Sequence, residues 1–242
     1  MRHSTLSRVL IVPVAIIMLE VLPSWTTGLL QLASPVLPIG AFSYSQGLEQ
    51  ANAQGWVLDE AGAGNWIASQ WRCTFAPREL RALQDAYSTN DLQSLLRINE
   101  EFSASRDSAE VRLETMQTGS SLMKWLRSMQ EVLQVKPELL ALIVSLVGQK
   151  LTAPIAFSLC AKAQLLPLEA ARLAWGWSWL ENQVQAAVKI VPLGQTAGQR
   201  LLIRLRPLLL EPVKDEDPWA FSPLGAIAAM RHERLYTRIF RS

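Results

Sequence analysis

Histidine and cysteine are both scarce in this chain of 242 residues, which has only two of each. The histidines are His3 and His232, and the cysteines are Cys73 and Cys160. A buried transition-metal site usually needs three or four imidazole, thiolate or carboxylate ligands, and the chain contains no C-x-x-C or H-E-x-x-H pattern. Two distant cysteines also exclude a scaffold built on disulfides. We therefore expect no metal site within the chain.

Sequence signals of catalysis are missing as well. No segment reads G-x-x-x-x-G-K-[ST] or G-x-G-x-x-G, so no phosphate-binding loop is predicted. A nucleophilic serine or cysteine would need His3 or His232 as its base, and each lies near one end of the chain. These absences favour a protein that is not an enzyme and has no catalytic residue. A hydrolase that uses His232 is kept as an alternative.

Charged residues make up only 18% of the chain, against about 25% in ordinary soluble proteins. Half of the residues are apolar, and nine are tryptophan. This composition supplies enough apolar surface for a large core and excludes disorder over most of the chain. The length fits a single large domain.

From residue 24 onward the apolar residues recur with helical spacing almost throughout, and no alternating run predicts a strand. Prolines fall where helices are expected to start or stop. The pattern predicts an all-α, single-domain bundle of about nine to ten helices over residues 24–213, with a separate C-terminal tail. Ser43 and Gln46 form an S-x-x-Q capping box for a short helix. A helix that starts near Asp59 is expected to stop at Pro77.

Residues 1–23 are expected to be an extension outside this domain. Three basic or imidazole residues precede the apolar run Val9–Leu19, as in a signal peptide, but no cleavage site follows. The run is also shorter than the roughly 20 residues that span a bilayer. We interpret the extension as dispensable, with Met18 as a candidate start. A membrane-associated or exported helical protein is kept as the alternative.

Residues 214–242 are predicted to form a linker and a C-terminal partner-binding tail. From Arg231 to the end the formal charge is +3, which leaves −1 for the rest of a chain whose net charge is +2. Nucleic acid is disfavoured as a partner, because the rest of the chain does not extend this basic region into the larger basic surface that phosphate binding usually needs. Arginine is equally suited to carboxylates across a protein interface, and a frayed terminus is the alternative.

Trp175, Trp177 and Trp179 lie within one predicted helix. Trp175 and Trp179 share a face, while Trp177 points roughly 160° away. The helix must therefore be covered from both sides. Burial inside the bundle explains this best, and a subunit interface that supplies the second cover is the alternative.

Three sequence blocks together resemble the UreF family of urease accessory proteins. They are residues 32–49, LASPVLPIGAFSYSQGLE; residues 179–195, WLENQVQAAVKIVPLGQ; and residues 231–242, RHERLYTRIFRS. A fourth block, residues 105–112, is similar to a family segment in which Glu is expected in place of Asp107. The resemblance runs from about Trp25 to the end of the chain.

The resemblance implies an all-α, cytoplasmic homodimer that does no enzymatic chemistry. It implies binding to the accessory protein UreD (also called UreH), whose arrival orders the tail, and recruitment of the GTPase UreG. The complex would pass Ni(II) to apo-urease, so the chain needs no cofactor of its own. No contact with nucleic acid or membrane is implied. The predicted partner-binding residues are Tyr44, Glu49, Lys189, Arg231, His232, Glu233, Arg234, Tyr236, Arg238, Phe240 and Arg241.

Overall fold

The computed structural model describes residues 22–213 and 221–242, and within these ranges it contains helices and loops but no strand. The all-α prediction is confirmed. The α-helices are α1 (Thr26–Ala33), α2 (Leu48–Ala53), α3 (Glu60–Gln70), α4 (Arg81–Ser88), α5 (Leu92–Ala104), α6 (Ala109–Met129), α7 (Pro137–Ser145), α8 (Ala153–Ala163), α9 (Leu168–Ile190), α10 (Gln195–Leu205) and α11 (Pro223–His232). A π-helix (Trp71–Leu80) joins α3 to α4, and 3₁₀ turns occupy Ala41–Ser43 and Arg206–Leu210.

Helix α8 lies at the centre of the bundle, and nearly all of its side chains are buried. It packs against α4 on one side and α6 on the other. The approach of α6 is close at Gly119, where an added Cβ would lie 2.1 Å from the backbone oxygen of Leu151. Only glycine fits there, so the start of α8 is held directly against α6.

Helix α9 carries the aromatic part of the core. Trp175 and Trp179 are buried on one face, as their spacing predicts, and Phe75 stacks on Trp179 with 4.5 Å between ring centroids. The ring centroids of Trp71 and Trp179 are 5.7 Å apart. Trp177, on the other face, is only partly buried. The bundle therefore covers one side of α9 fully and leaves the other side partly open.

The expected helix stop at Pro77 is wrong. The chain stays helical from Glu60 to Ser88 because the segment around Pro77 is a π-helix. A proline cannot donate the usual backbone hydrogen bond and its ring crowds the preceding turn, and a wider π turn is one way to accommodate such a defect within a helix. Thr74 helps by donating its hydroxyl to the backbone oxygen of Gln70 at 2.6 Å.

The C-terminal residues lie against the bundle rather than apart from it. Helix α11 packs on α2 and α6 through small residues, among them Ala226, Ala228 and Ala229. Gly47 makes this approach feasible, because an added Cβ at this position would lie 3.2 Å from Ala228. The φ of Gly47 is +85°, a value that glycine adopts readily. Residues 221–242, which belong to the predicted C-terminal tail, are therefore docked on the helical body.

Two expectations about the ends of the domain concern residues outside the described ranges. The predicted extension, apart from residues 22 and 23, and most of the predicted linker, residues 214–220, belong to this part of the chain. Among the helices that the structure does describe, none combines the length and apolar character needed to cross a bilayer.

Candidate functional site

The carboxylate of Glu49 is the centre of the site. Glu49 lies in the first turn of α2 and is buried. Its oxygens accept hydrogen bonds from the backbone N–H groups of Ile239 at 2.6 Å and Phe240 at 3.0 Å. We call residues 233–242 the C-terminal strap. Because Glu49 binds the backbone of the strap rather than its side chains, it fixes the course of the chain there.

His232, the last residue of α11, is fully buried between two carboxylates. Its Nε2 lies 3.0 Å from Glu49 and its Nδ1 lies 2.7 Å from Glu110. Both ring nitrogens can donate only when the imidazole carries two protons, so the geometry fits a charged histidine. Arg238 also donates to Glu110. Two cations thus balance two carboxylates, as a buried ion cluster requires.

This arrangement argues against the hydrolase alternative. A histidine that serves as a base for a nucleophile needs a ring nitrogen directed at that nucleophile. Both nitrogens of His232 are directed at carboxylates instead.

The end of the strap is held by the loop that precedes α2. The backbone oxygen of Ser242 accepts from the N–H groups of Ser45 at 2.7 Å and Gln46 at 3.1 Å, and from the Ser45 hydroxyl at 2.6 Å. The N–H of Arg241 donates to the backbone oxygen of Ser43 at 2.8 Å. The strap is therefore bound largely through its backbone.

The capping box predicted for α2 is wrong. The helix begins at Leu48, and Ser45 rather than Ser43 accepts from an N–H of its first turn. Gln46 adopts a left-handed φ of 51° and directs its side chain inward. There its amide donates to Glu114 at 2.8 Å and accepts from the indole of Trp179 at 2.7 Å. These buried contacts outweigh a local cap.

Glu114 lies one helical turn beyond Glu110 on α6 and is also buried. It accepts hydrogen bonds from the side chain of Gln46 and from the hydroxyl of Ser242, each at 2.8 Å. Burial raises the pKa of its carboxyl to about 7. The spacing of four between Glu110 and Glu114 places both on one face of α6. This spacing is a sequence signal for an acidic site, although neither glutamate is among the predicted partner-binding residues.

Three further predicted residues lie where the strap faces the bundle. Tyr44 is buried, donates its hydroxyl to Gln117 at 2.5 Å, and has its pKa raised by burial. Phe240 is also buried. The ammonium of the exposed Lys189 lies 5.7 Å from the centre of the Phe240 ring. The structure thus brings Tyr44, Lys189 and Phe240 to one region.

The remaining predicted residues lie on the solvent-facing side of α11 and the strap, which we call the outer face. Tyr236 is completely exposed, with a relative exposure of 102%. The exposed residues of this side are Arg231, Glu233, Arg234, Tyr236, Arg238 and Arg241. Arg231 contacts Gln54 at 3.4 Å, and Glu233 accepts from the N–H of Ala109 at the start of α6. The eleven predicted residues are therefore adjacent but divide into an inner group and an outer group.

The site offers oxygen and imidazole groups, but their hydrogen bonds occupy them. Within the described ranges no group of three or more His, Cys, Asp or Glu side chains is placed to hold a metal ion. The arrangement therefore holds the short, basic C-terminal strap against the helical body.

Comparisons with known proteins give a consistent result. The family model described as UreF matches residues 57–206. The urease accessory protein UreF of Dechloromonas aromatica is 44% identical over 226 residues, which cover 88% of this chain and 96% of the relative. The UreF of Azoarcus sp. is 44% identical over 223 residues, with coverage of 88% and 94%. That of Chromohalobacter salexigens is 38% identical over 231 residues, with coverage of 91% and 96%. The chain belongs to the UreF family.

Proposed function

We propose that this protein is a urease maturation co-chaperone. It acts as a non-enzymatic scaffold that binds UreD (UreH) and recruits the GTPase UreG, so that nickel is inserted into apo-urease. The relatives are urease accessory proteins by name, and membership of their family supports a non-catalytic role. The site provides a shaped protein surface whose carboxylate and imidazole groups are engaged in hydrogen bonds within the chain, which suits a scaffold.

The observation that carries this proposal is the outward face of the docked strap. Tyr236 is fully exposed, and Arg231 and Arg234 lie near it in the chain with their side chains in solvent. Tyrosine and arginine are enriched among residues that dominate protein interfaces. A backbone held by Glu49 presents these side chains in a defined arrangement, which lowers the entropic cost of binding. We assign this face to UreD.

The inner residues have a different role in this proposal. Glu49, His232, Tyr44 and Phe240 are buried, so they are not available for direct contact with a partner. They position the strap, and through it the outer face. Of the residues predicted as partner contacts, the outer six are thus retained as contacts and these four become positioning residues.

A homodimer and a UreG contact complete the proposed assembly. The open side of α9 adjoins α1 and the following loop, where Leu30 is an exposed apolar side chain. Surface of this kind is suited to a second copy. Lys189 is exposed beside Phe240 and is our candidate for the UreG side. The proposed folded unit is residues 24–213 with the strap as its binding arm, and the proposed location is the cytoplasm.

Nickel is cargo of the complex in this proposal rather than a resident cofactor. The ion would pass between partners, and GTP would be bound and hydrolysed by UreG. The alternative of a membrane-associated or exported protein has no supporting observation within residues 22–213 and 221–242, where none of the helices is suited to crossing a bilayer.

Co-purification with UreD tests the proposal. Arg234→Glu reverses an exposed charge on the outer face, and Lys136→Glu reverses an exposed charge in the α6–α7 connection as a matched control. We expect tagged UreD to retain the wild type and the Lys136 variant but to lose most of the Arg234 variant. Equal retention of all three would remove the outer face from the proposal.

A further inference from the structure

We propose that Asn182, on α9, is a positioning residue for the C-terminal strap. It holds residues 44–46, which we call the receptor loop, in the orientation that binds the end of the strap. The inference deepens the proposed function and rests on it for the link to UreD, because the strap carries part of the proposed UreD surface. Asn182 is not among the predicted partner-binding residues.

The receptor loop binds the strap with two consecutive backbone N–H groups. The N–H groups of Ser45 and Gln46 lie 2.7 and 3.1 Å from the backbone oxygen of Ser242. Successive N–H groups converge on one acceptor when the backbone turns sharply, and Gln46 adopts a left-handed φ of 51°. This conformation is uncommon for residues other than glycine. The receptor loop therefore needs contacts that hold it in place.

Asn182 holds the first peptide group of the receptor loop. Its side-chain nitrogen donates to the backbone oxygen of Tyr44 at 3.0 Å. The same peptide group carries the N–H of Ser45, which donates to Ser242. In a trans peptide the C=O and N–H bonds point in opposite directions within one plane. By binding the oxygen on the α9 side, Asn182 therefore directs the N–H towards the strap.

Trp179 holds the other end of the receptor loop from the same face of α9, since it lies three residues before Asn182. Its indole N–H donates to the side-chain oxygen of Gln46 at 2.7 Å, and the side-chain nitrogen of Gln46 donates to Glu114 at 2.8 Å. The hydroxyl of Ser242 donates to the other oxygen of Glu114, also at 2.8 Å. The receptor loop is thus fixed at both ends by α9, and it shares an acceptor with the strap.

Apolar packing contributes little to the position of the receptor loop on α9. Two cavities, of about 40 and 160 Å³, are lined by residues of α9 and of the segment between α1 and α2. Asn182 lines both of them. Atoms beside a cavity lack packing partners on that side. Hydrogen bonds such as that of Asn182 therefore carry more of the positioning here than in the apolar core around α8.

Hydrogen exchange of the full chain, without UreD, tests this role with Asn182→Leu. Leucine keeps a side chain that branches at the same atom and removes the donor. We expect the opening equilibrium of peptides from residues 235–242 to rise about threefold to tenfold, as for the loss of one hydrogen bond, while the protection of α8 stays at its wild-type value.

Gln185→Leu is the matched control. It makes the same change from amide to leucine on α9, beside the larger of the two cavities. Among the hydrogen bonds of the described residues, none joins Gln185 to the receptor loop. We expect its strap to exchange as in the wild type. An unchanged strap in Asn182→Leu, or an equal response in both variants, would overturn the proposal.

A double-mutant cycle separates positioning from a general loss of stability. The hydroxyl of Ser45 donates to the backbone oxygen of Ser242 at 2.6 Å, and Ser45→Ala removes this bond. If Asn182 acts through the receptor loop, Ser45→Ala should raise strap opening at least about twofold less in Asn182→Leu than in the wild type. Additive effects would contradict the proposal. Asn182→Ala also removes the donor and gives the same comparison where Asn182→Leu does not fold.

These results are independent of the proposed UreD contact. Both experiments measure strap docking in the protein alone, so Asn182 can prove unimportant while UreD still binds the outer face. Conversely, a failure of UreD to bind the wild type would leave the effect of Asn182→Leu on strap exchange unchanged.

Discussion

The backbone N–H of Phe240 lies 3.0 Å from the carboxylate of Glu49, which joins two residues 191 positions apart in the chain. The N–H of Ile239 donates to the same carboxylate, and Nε2 of His232 lies 3.0 Å from it. A buried side chain in a six-residue helix thus holds the middle of the C-terminal strap, while the loop before that helix holds its end. Since the proposed partner surface lies on the strap, Glu49 is an informative position to change.

Glu49→Gln should release the strap while leaving the bundle folded. The change removes the negative charge and turns one acceptor oxygen into a donor group that faces other donors. Hydrogen bonds to charged groups contribute about 1.5–3 kcal/mol each, which is enough to undock a ten-residue segment. Trypsin cleavage at Arg234, Arg238 and Arg241 measures the release and should be clearly faster than in the wild type. Cleavage at the wild-type rate would show that Glu49 does not hold the strap.

His232→Ala should lower the free energy of unfolding by about 3–5 kcal/mol. The substitution removes a buried cation and leaves the carboxylates of Glu49 and Glu110 close together without it, which is the costly way to break a buried ion cluster. Urea denaturation provides the measurement. The double variant His232→Ala with Glu110→Gln should recover part of the loss, because one unpaired charge is then removed as well. A loss below about 1 kcal/mol in the single variant would contradict a charged His232.

Tyr236→Ala should leave stability unchanged. The side chain is fully exposed and makes none of the hydrogen bonds that hold the strap. Substitutions at such positions usually change the free energy of unfolding by less than about 0.5 kcal/mol. Thermal and urea unfolding should both coincide with the wild type. A marked destabilisation would mean that Tyr236 has a structural partner and is not a free contact residue.

Gly119→Ala should be the most damaging of the single-methyl changes. The new Cβ would overlap the backbone oxygen of Leu151, and backbone at the start of the central helix cannot move aside as a side chain can. Overpacking of a core typically costs about 1–3 kcal/mol and occasionally more. Gly194→Ala is the matched control, because its Cβ would meet nothing within 4 Å and its φ is −71°. Equal stability of the two variants would contradict the packing of α6 against α8.

The sequence was sufficient for the class of fold but not for the geometry of the site. Helical spacing is a local property, and it predicted the all-α bundle and the shared face of Trp175 and Trp179. The contacts of Glu49 with the strap join positions about 190 residues apart, and no local pattern contains such pairs. Gln46 is a second example: its local spacing predicts a capping role, but its side chain binds Glu114 and Trp179 on other helices instead. The sequence also did not show which of the predicted partner-binding residues would face the bundle and which would face solvent.

Titration of UreD against the wild type and Tyr236→Ala is the decisive measurement, with strap docking in both proteins first verified by hydrogen exchange. If the docked strap presents a binding face for UreD, Tyr236→Ala should weaken binding by at least about 2 kcal/mol, a factor of about thirty, although the protein is folded like the wild type. Glu49→Gln should weaken binding as well, because the face is then no longer assembled. Unchanged affinity in both variants would contradict the account.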